Sequence, residues 1–192
     1  MSNETIDKIK EGFEACARAS ERANAEPPLR IEIDAHFKSD AVVEAMKQPT
    51  NDDRICIAGG PKVGKTTFGV ALGKVTNVGV SHTDDTKFAA SWSEQSEMVA
   101  GWFDVEGPWI IEGVAVPRAL RKWLQAHPWD GKTVDAPRPC DIVYWLHRAV
   151  AERTKGAESM AKACETVWSE VVDELQRRGV EVRIVDSVTL AA

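Results

Sequence analysis

Apolar and polar positions change their rhythm along the chain. Between Glu4 and Ala25, Ile6, Ile9, Phe13 and Cys16 recur at three- and four-residue spacings, the period of one helical face. Pro27-Pro28 closes that helix. Arg30 to Phe37 alternates, with Ile31, Ile33, Ala35 and Phe37 on one side, which predicts a short half-buried strand. Asp40 to Gln48 reads as a further short helix, and Pro49 to Asp53 as a polar connector.

From Arg54 the pattern becomes short apolar runs separated by amphipathic stretches. Arg54 to Ala58 predicts a strand running into Gly59-Gly60-Pro61, and a helix begins near Gly64 and ends about Val75. Further strands are predicted at Asn77 to Ser81, Trp109 to Glu112, Ile142 to Leu146 and Val180 to Val185. Helices fall over Glu94 to Phe103, where Met98, Val99 and Trp102 group together, and over Arg118 to Gln125. A loop rich in proline and charge spans Ala126 to Pro139. Residues 163–178 give the clearest helix, with Cys164, Val167, Trp168, Val171, Val172 and Leu175 on one stripe and Gly179 as the stop. Strands alternating with helices predict βαβ units and a five-stranded parallel sheet covered on both faces. The expected organisation is an N-terminal extension, residues 1–53, followed by an α/β domain, residues 54–192.

Composition narrows the function. At 192 residues, one domain is the default. Against 24 Lys and Arg stand 30 Asp and Glu, and the net charge of −6 argues against a protein that coats nucleic acid non-specifically. No apolar run reaches the roughly 20 residues of a membrane-spanning helix. Met1 to Lys10 has no apolar signal core, so nothing points to secretion or to a membrane. Cys16, Cys56, Cys140 and Cys164 are scattered, with no CxxC or Cys/His cluster, which indicates neither a zinc site nor a disulfide framework. Reduced thiols in a cytoplasm are expected. His36, His82, His127 and His147 have no ligand spacing, and only His82 falls near the chemistry considered next.

Gly59-Gly60-Pro61-Lys62-Val63-Gly64-Lys65-Thr66 matches GxxxxGK[ST] at every position, between a predicted strand and a predicted helix. Glycines let the backbone curl so that successive N–H groups point at an anion, and the following helix adds its positive N-terminal end. In such a loop Lys65 neutralises the β- and γ-phosphates, the Thr66 hydroxyl ligates Mg²⁺, and Thr67 follows within the nucleotide-binding stretch. The alternative is a glycine turn that happens to carry a lysine. A switch GTPase needs NKxD, which is absent, and Asp104-Val105-Glu106-Gly107 spells DxxG only ahead of a strand. A motor ATPase wants a hydrophobic strand ending in an acid, for which Trp109-Ile110-Ile111-Glu112 is the nearest candidate.

Ligands of α/β sheets sit at the carboxyl ends of the strands. The second predicted strand ends at Ser81-His82-Thr83-Asp84-Asp85, so two carboxylates arrive near the γ-phosphate. Phosphoryl transfer to a hydroxyl needs a group that holds and deprotonates it. One Asp suits that role. The other suits a helix cap or a water-mediated metal contact. The alternative makes both of them turn and cap residues.

Gly59-Gly60-Pro61-x-x-Gly64-Lys65-Thr66-Thr67 followed by Thr83-Asp84-Asp85 resembles the small P-loop kinases, and among them the bacteriophage-type polynucleotide 5′-hydroxyl kinases. The resemblance covers residues 54–90; beyond them only the order of elements agrees. It implies a three-layer α/β P-loop NTPase of the nucleotide-kinase type, with ATP and Mg²⁺ as cofactors and Asp84 as the catalytic base. It also implies a mobile lid after the fourth strand, near residues 147–162, that folds arginines onto the phosphates. The family often has Arg before the Asp pair where this chain has Thr83, which sets its acceptor contacts apart.

Charge is uneven in a way that fits a lid. Residues 118–162 carry nine Lys and Arg and five Asp and Glu, a local +4, while the remaining residues sum to −10. Arg148, Arg153, Lys155 and Lys162 fall in the lid segment, where Arg148 and Arg153 are the candidates for stabilising transferred charge. Arg118 and Arg121 follow the third strand and, with Asp85, are the candidate acceptor contacts. The competing reading of each is a solvated helix surface. Among seven tryptophans, Trp102, Trp109, Trp145 and Trp168 hold core positions. Trp92, Trp123 and Trp129 lie in or beside loops near the presumed acceptor face, where burial competes with stacking on a base.

The expected activity is Mg²⁺-dependent transfer of the γ-phosphate of ATP to a hydroxyl. The chain is similar in size and loop pattern to small phage P-loop kinases that phosphorylate 5-hydroxymethyluracil within DNA. That resemblance implies a base-borne CH₂OH acceptor, base extrusion and, for a phage protein, work in the host cytoplasm. The alternatives are a nucleoside, nucleotide or other small-molecule kinase, and a non-kinase P-loop ATPase or nucleotide-sensing module.

Overall fold

A computed structural model describes residues 49–86, 89, 91–132 and 135–186. The helix, strand and short helix expected over residues 4–48, with Cys16 and His36, lie outside the described residues. The chain runs β1 (Arg54–Gly59), α1 (Lys65–Thr76), β2 (Val80–His82), a 3₁₀ turn (Thr83–Asp85), α2 (Trp92–Trp102), β3 (Trp109–Gly113), α3 (Val116–Ala126), β4 (Ile142–Leu146), α4 (Lys155–Arg177) and β5 (Glu181–Val185). The five strands form one all-parallel sheet in the order β2-β3-β1-β4-β5. The fold is α/β, as the alternation of strand and helix patterns predicts.

This strand order explains where the helices go. Parallel strands joined through a helix cross over right-handedly. The step from β1 to β2 runs toward one edge, whereas the steps β2 to β3, β3 to β4 and β4 to β5 all run toward the other. A single handedness therefore sends α1 to one face and α2, α3 and α4 to the opposite face. The core divides accordingly. Ile55, Ile57, Ile110, Tyr144 and Leu146 pack with Phe68 and Leu72 of α1. Cys56, Ala58, Ile111, Val143 and Trp145 pack with Trp102, Leu120 and Trp168 from the other three helices. Helices thus lie against both faces, an arrangement compatible with three layers. Neighbouring strands β1 and β3 are followed by helices on opposite faces, so a crevice opens at their carboxyl ends.

Several boundaries depart from the pattern for local reasons. β2 begins at Val80 rather than Asn77, because Asn77 takes the left-handed conformation (φ 56°) that ends α1. α2 begins at Trp92 rather than Glu94, because Ser91 caps it by accepting from the Glu94 amide. α3 begins at Val116, since Pro117 fits a first turn, where its missing N–H costs nothing. α4 begins at Lys155 rather than residue 163, capped by Thr154. The second half of the expected lid is therefore helix.

Trp102, Trp109, Trp145 and Trp168 are buried as expected, and Trp145 stacks on Trp168 at 4.7 Å between ring centroids. Trp123 and Trp129 are not at the acceptor face. α3 starts at the carboxyl ends of the strands and runs back, so its last turn and the residues after it lie at the opposite end of the sheet. Trp123 is buried there and donates from Nε1 to Asp104 at 2.7 Å, which gives the DxxG-like segment a structural use.

β3 ends at Gly113 with φ 149°, and a Cβ there would sit 1.7 Å from Thr83 Oγ1. Only a residue without a side chain lets the turn after β2 close onto β3. Gly113→Ala is expected to lower the unfolding free energy by about 3 kcal/mol or more in denaturant titrations. Thr83→Ala in the same chain should restore part of the loss, and additive losses would contradict the close approach.

Candidate functional site

The loop from Gly59 to Thr66 lies in the crevice between β1 and β3. Lys62 (φ 60°) and Gly64 (φ 83°) are both left-handed, so the chain curls before entering α1. Gly64 is the N-cap residue, and no side chain caps the helix. Its first turn carries no acid. The first amides of a helix need partners, and here they face the loop with the positive end of the helix dipole behind them. Lys65, only 8% exposed, donates from Nζ to the Gly60 carbonyl at 2.8 Å. Burial pushes its ammonium below the usual lysine range, opposed by the negative charges of Glu112 and Asp84. The lysine is a desolvated cation whose hydrogen-bond partner is a neutral carbonyl.

Glu112, the penultimate residue of β3, links the elements around it. Its Oε1 accepts from Thr66 Oγ1 at 2.9 Å and lies 2.6 Å from His82 Nδ1. With a proton on Nδ1, His82 donates to the glutamate in this contact. The glutamate is buried and ties the loop after β1 to the end of β2. In the sequence, Glu112 is legible only as a motor-type acid. Its signal was the apolar strand Trp109-Ile110-Ile111 ending in a carboxylate.

Asp84 and Asp85 ride on the 3₁₀ turn after β2. The turn is fixed from α2, because Gln95 Nε2 donates to the Thr83 carbonyl at 2.8 Å and to Thr86 Oγ1 at 2.7 Å. Thr86 Oγ1 donates to the same carbonyl. Gln95 had no sequence signal, since its role depends on α2 packing beside the turn. Asp84 lies on the open side of the turn. Partial desolvation pushes its carboxyl above the usual range; Glu112 adds to the push and Lys65 opposes it. Lys65, Thr66, Asp84 and Glu112 thus converge at the crevice, with His82 behind them.

The segment after β4 is folded against the loop. Val150 N donates to the Lys62 carbonyl at 2.8 Å, Lys62 Nζ to the Glu152 carbonyl at 2.6 Å, and Arg153 Nε to the Pro61 carbonyl at 2.9 Å. Ala161 of α4 packs so closely that a Cβ at Gly60 would meet its own at 2.9 Å. Arg153 is therefore brought to the loop. Arg148 is not: it is exposed and faces Asp186 beyond β5 at 3.9 Å. On the acceptor side the arginines also divide. Arg121 pairs with Glu170 of α4 at 2.7 Å and joins two helices. Arg118 stays at the carboxyl edge, with its guanidinium 5.9 Å from the centre of the Trp92 ring. Trp92 is exposed, the one of the three loop-side tryptophans that escapes burial at this edge.

Among the described residues no group of three or more His, Cys, Asp or Glu could hold a metal ion by itself. A Mg²⁺ ion usually keeps several waters and is completed by phosphate oxygens, so one protein hydroxyl and nearby carboxylates are a sufficient donor set. Thr66, hydrogen-bonded to Glu112 within the loop, fits that requirement. No helix among the described residues is long and apolar enough to cross a membrane. Comparison with known proteins finds no matching family model, no matching curated sequence and no matching solved structure.

The His82–Glu112 bond has a measurable signature. Hydrogen bonding to Glu112 raises the His82 pKa above 6.5, with burial opposing. Its contribution to stability is complete below the unfolded histidine value and is lost as pH rises through the raised native value. Glu112→Gln should lower the His82 pKa in NMR titrations and flatten the loss of stability between about pH 6 and 8. An unchanged His82 titration would contradict the pairing.

Proposed function

We propose that this chain is a P-loop phosphotransferase of the nucleotide-kinase type, moving the γ-phosphate of ATP, with Mg²⁺, to a hydroxyl. The proposed acceptor is the CH₂OH of 5-hydroxymethyluracil in phage DNA, which places the work in the host cytoplasm. The observation that carries the transferase reading is an uncapped helix N-terminus and a buried Lys65 within electrostatic reach of the exposed Asp84. The first two offer hydrogen-bond donors and positive charge to an anion. The third is a base facing the space where an acceptor would enter.

Each residue then has a task. The loop amides and Lys65 bind the phosphates, and Arg153 stands beside the loop to offset charge that develops during transfer. Thr66 holds the metal, which when bound neutralises phosphate charge. Asp84 accepts the proton of the acceptor hydroxyl as its oxygen bonds to the γ-phosphorus and the bond to the ADP oxygen breaks. A carboxyl with a raised pKa is better matched to that proton than an ordinary aspartate. Gln95 keeps the turn in place, and Glu112 positions Thr66.

Glu112 favours a second reading. A buried strand-end carboxylate bonded to the loop threonine also suits an ATPase or a nucleotide-sensing module. Two variants separate the readings. Given γ-labelled ATP, Asp84→Asn should lose about 10²–10⁴-fold in transfer while still binding ATP. Lys65→Ala should lose ATP binding. The acceptors to offer are DNA with 5-hydroxymethyluracil, thymine DNA with 5′-hydroxyl ends, and a nucleoside and nucleotide mixture. Label on the ends or on free nucleotides would replace the acceptor assignment. ATP hydrolysis that needs Glu112 and ignores Asp84 would replace the transferase reading.

A further inference from the structure

A cleft of about 270 Å³ opens between the first turn of α2, the first turn of α3 and the N-terminal turns of α4, lined by Trp92, Val114, Arg118, Met160, Ala163 and Cys164. It begins where β3 ends: Val114 follows Gly113, and the Val114 carbonyl accepts from Cys164 Sγ at 3.6 Å. Cys164 and Arg118 both line the cleft, and the Cys164 thiol is within electrostatic reach of Lys65 as well. We propose that this cleft is the acceptor site, and that it takes one planar pyrimidine ring stacked on Trp92, with Arg118 pairing with the adjoining phosphate. The inference rests on the transferase reading and names the chemistry its acceptor must have.

Three observations select that ligand. Trp92 is 45% exposed, although a tryptophan normally buries its large apolar surface. An exposed indole ring is a platform on which any base can stack. Arg118 contacts that ring at 5.9 Å, near the outer limit of about 6 Å for a cation–π contact, and has no carboxylate partner among the described residues. The pair is a loose contact that an incoming ring displaces, releasing a guanidinium suited to a phosphate. The cleft volume lies just below the roughly 300–1,000 Å³ of common ligand pockets, which suits a single ring with its substituent and excludes a stacked duplex. A DNA-borne base therefore has to leave the helix to enter.

The test uses the full chain, γ-labelled ATP and three acceptors: DNA containing 5-hydroxymethyluracil, the free 5-hydroxymethyl nucleotide, and a non-aromatic sugar alcohol. Trp92→Ala should raise KM for the ring-bearing acceptors about tenfold or more, with Trp92→Phe close to wild type and ATP binding unchanged. Ala163→Phe, which fills the cleft, should block those acceptors and leave ATP binding intact. Arg118→Ala should raise KM and reduce its salt dependence for phosphate-bearing acceptors. Preference for DNA over the free nucleotide would identify an extruded base, and the reverse a free one; both retain the ring site. Transfer by wild type that is indifferent to Trp92→Ala and Ala163→Phe, or that favours the sugar alcohol, would overturn this inference and leave the transferase reading standing. Failure of wild type to label any acceptor would overturn the transferase reading, and the acceptor site with it.

Discussion

The buried carboxylate of Glu112 is the constraint around which the crevice is arranged. An uncompensated charge in the interior costs several kcal/mol, so Glu112 needs donors of good geometry. Thr66 and His82 supply them from two other elements, the start of α1 and the end of β2. One side chain thereby fixes the loop after β1 relative to the turn after β2. The side-chain-free Gly113, next in the chain, lets that turn close onto β3. Strand pairing and site geometry are thus set by the same few residues at the end of β3.

The loop side of the crevice carries hydrogen-bond donors and positive charge. The first amides of α1 have no side-chain cap, and Lys65 is held to a neutral carbonyl with its pKa pushed down by burial. Arg153 is anchored to the loop by its Nε and pairs only partly with Glu158, at 3.6 Å. A cluster of donors and desolvated cations is stabilised by an anion more than by water, because the low local dielectric strengthens each contact. On the proposed reading, nucleotide phosphates supply that anion, and the raised pKa of Asp84 adapts the opposite side of the crevice to proton transfer.

Much of this was legible in the sequence. The glycine-rich loop, its flanking strand and helix, and the five strands follow from periodicity and from residues whose conformational roles are local. The Asp84–Asp85 pair was legible because it sits at a strand end. What escaped was what depends on packing. Glu112 looked like the end of an apolar run until strand order placed it beside Thr66. Gln95 gained a role only because α2 lies against the turn. Arg148, Arg121, Trp123 and Trp129 carried suitable chemistry but are turned to Asp186, to Glu170 or to the far end of the sheet. The early start of α4 was hidden because its first two turns carry only small apolar residues and Met160 (Ala157, Met160, Ala161), a weaker stripe than the one after Cys164, and because Thr154 acts as the cap.

The central claim is that the loop between β1 and α1 grips the terminal phosphates of a nucleotide. Calorimetric titration of the full chain with ATP, ADP and AMP in the presence of Mg²⁺ tests it most directly. The account predicts that ATP and ADP bind, while AMP, which lacks the phosphates that meet Lys65 and the α1 amides, binds at least about a hundredfold more weakly. Equal affinity for AMP and ATP, or no heat with any of the three, would contradict it.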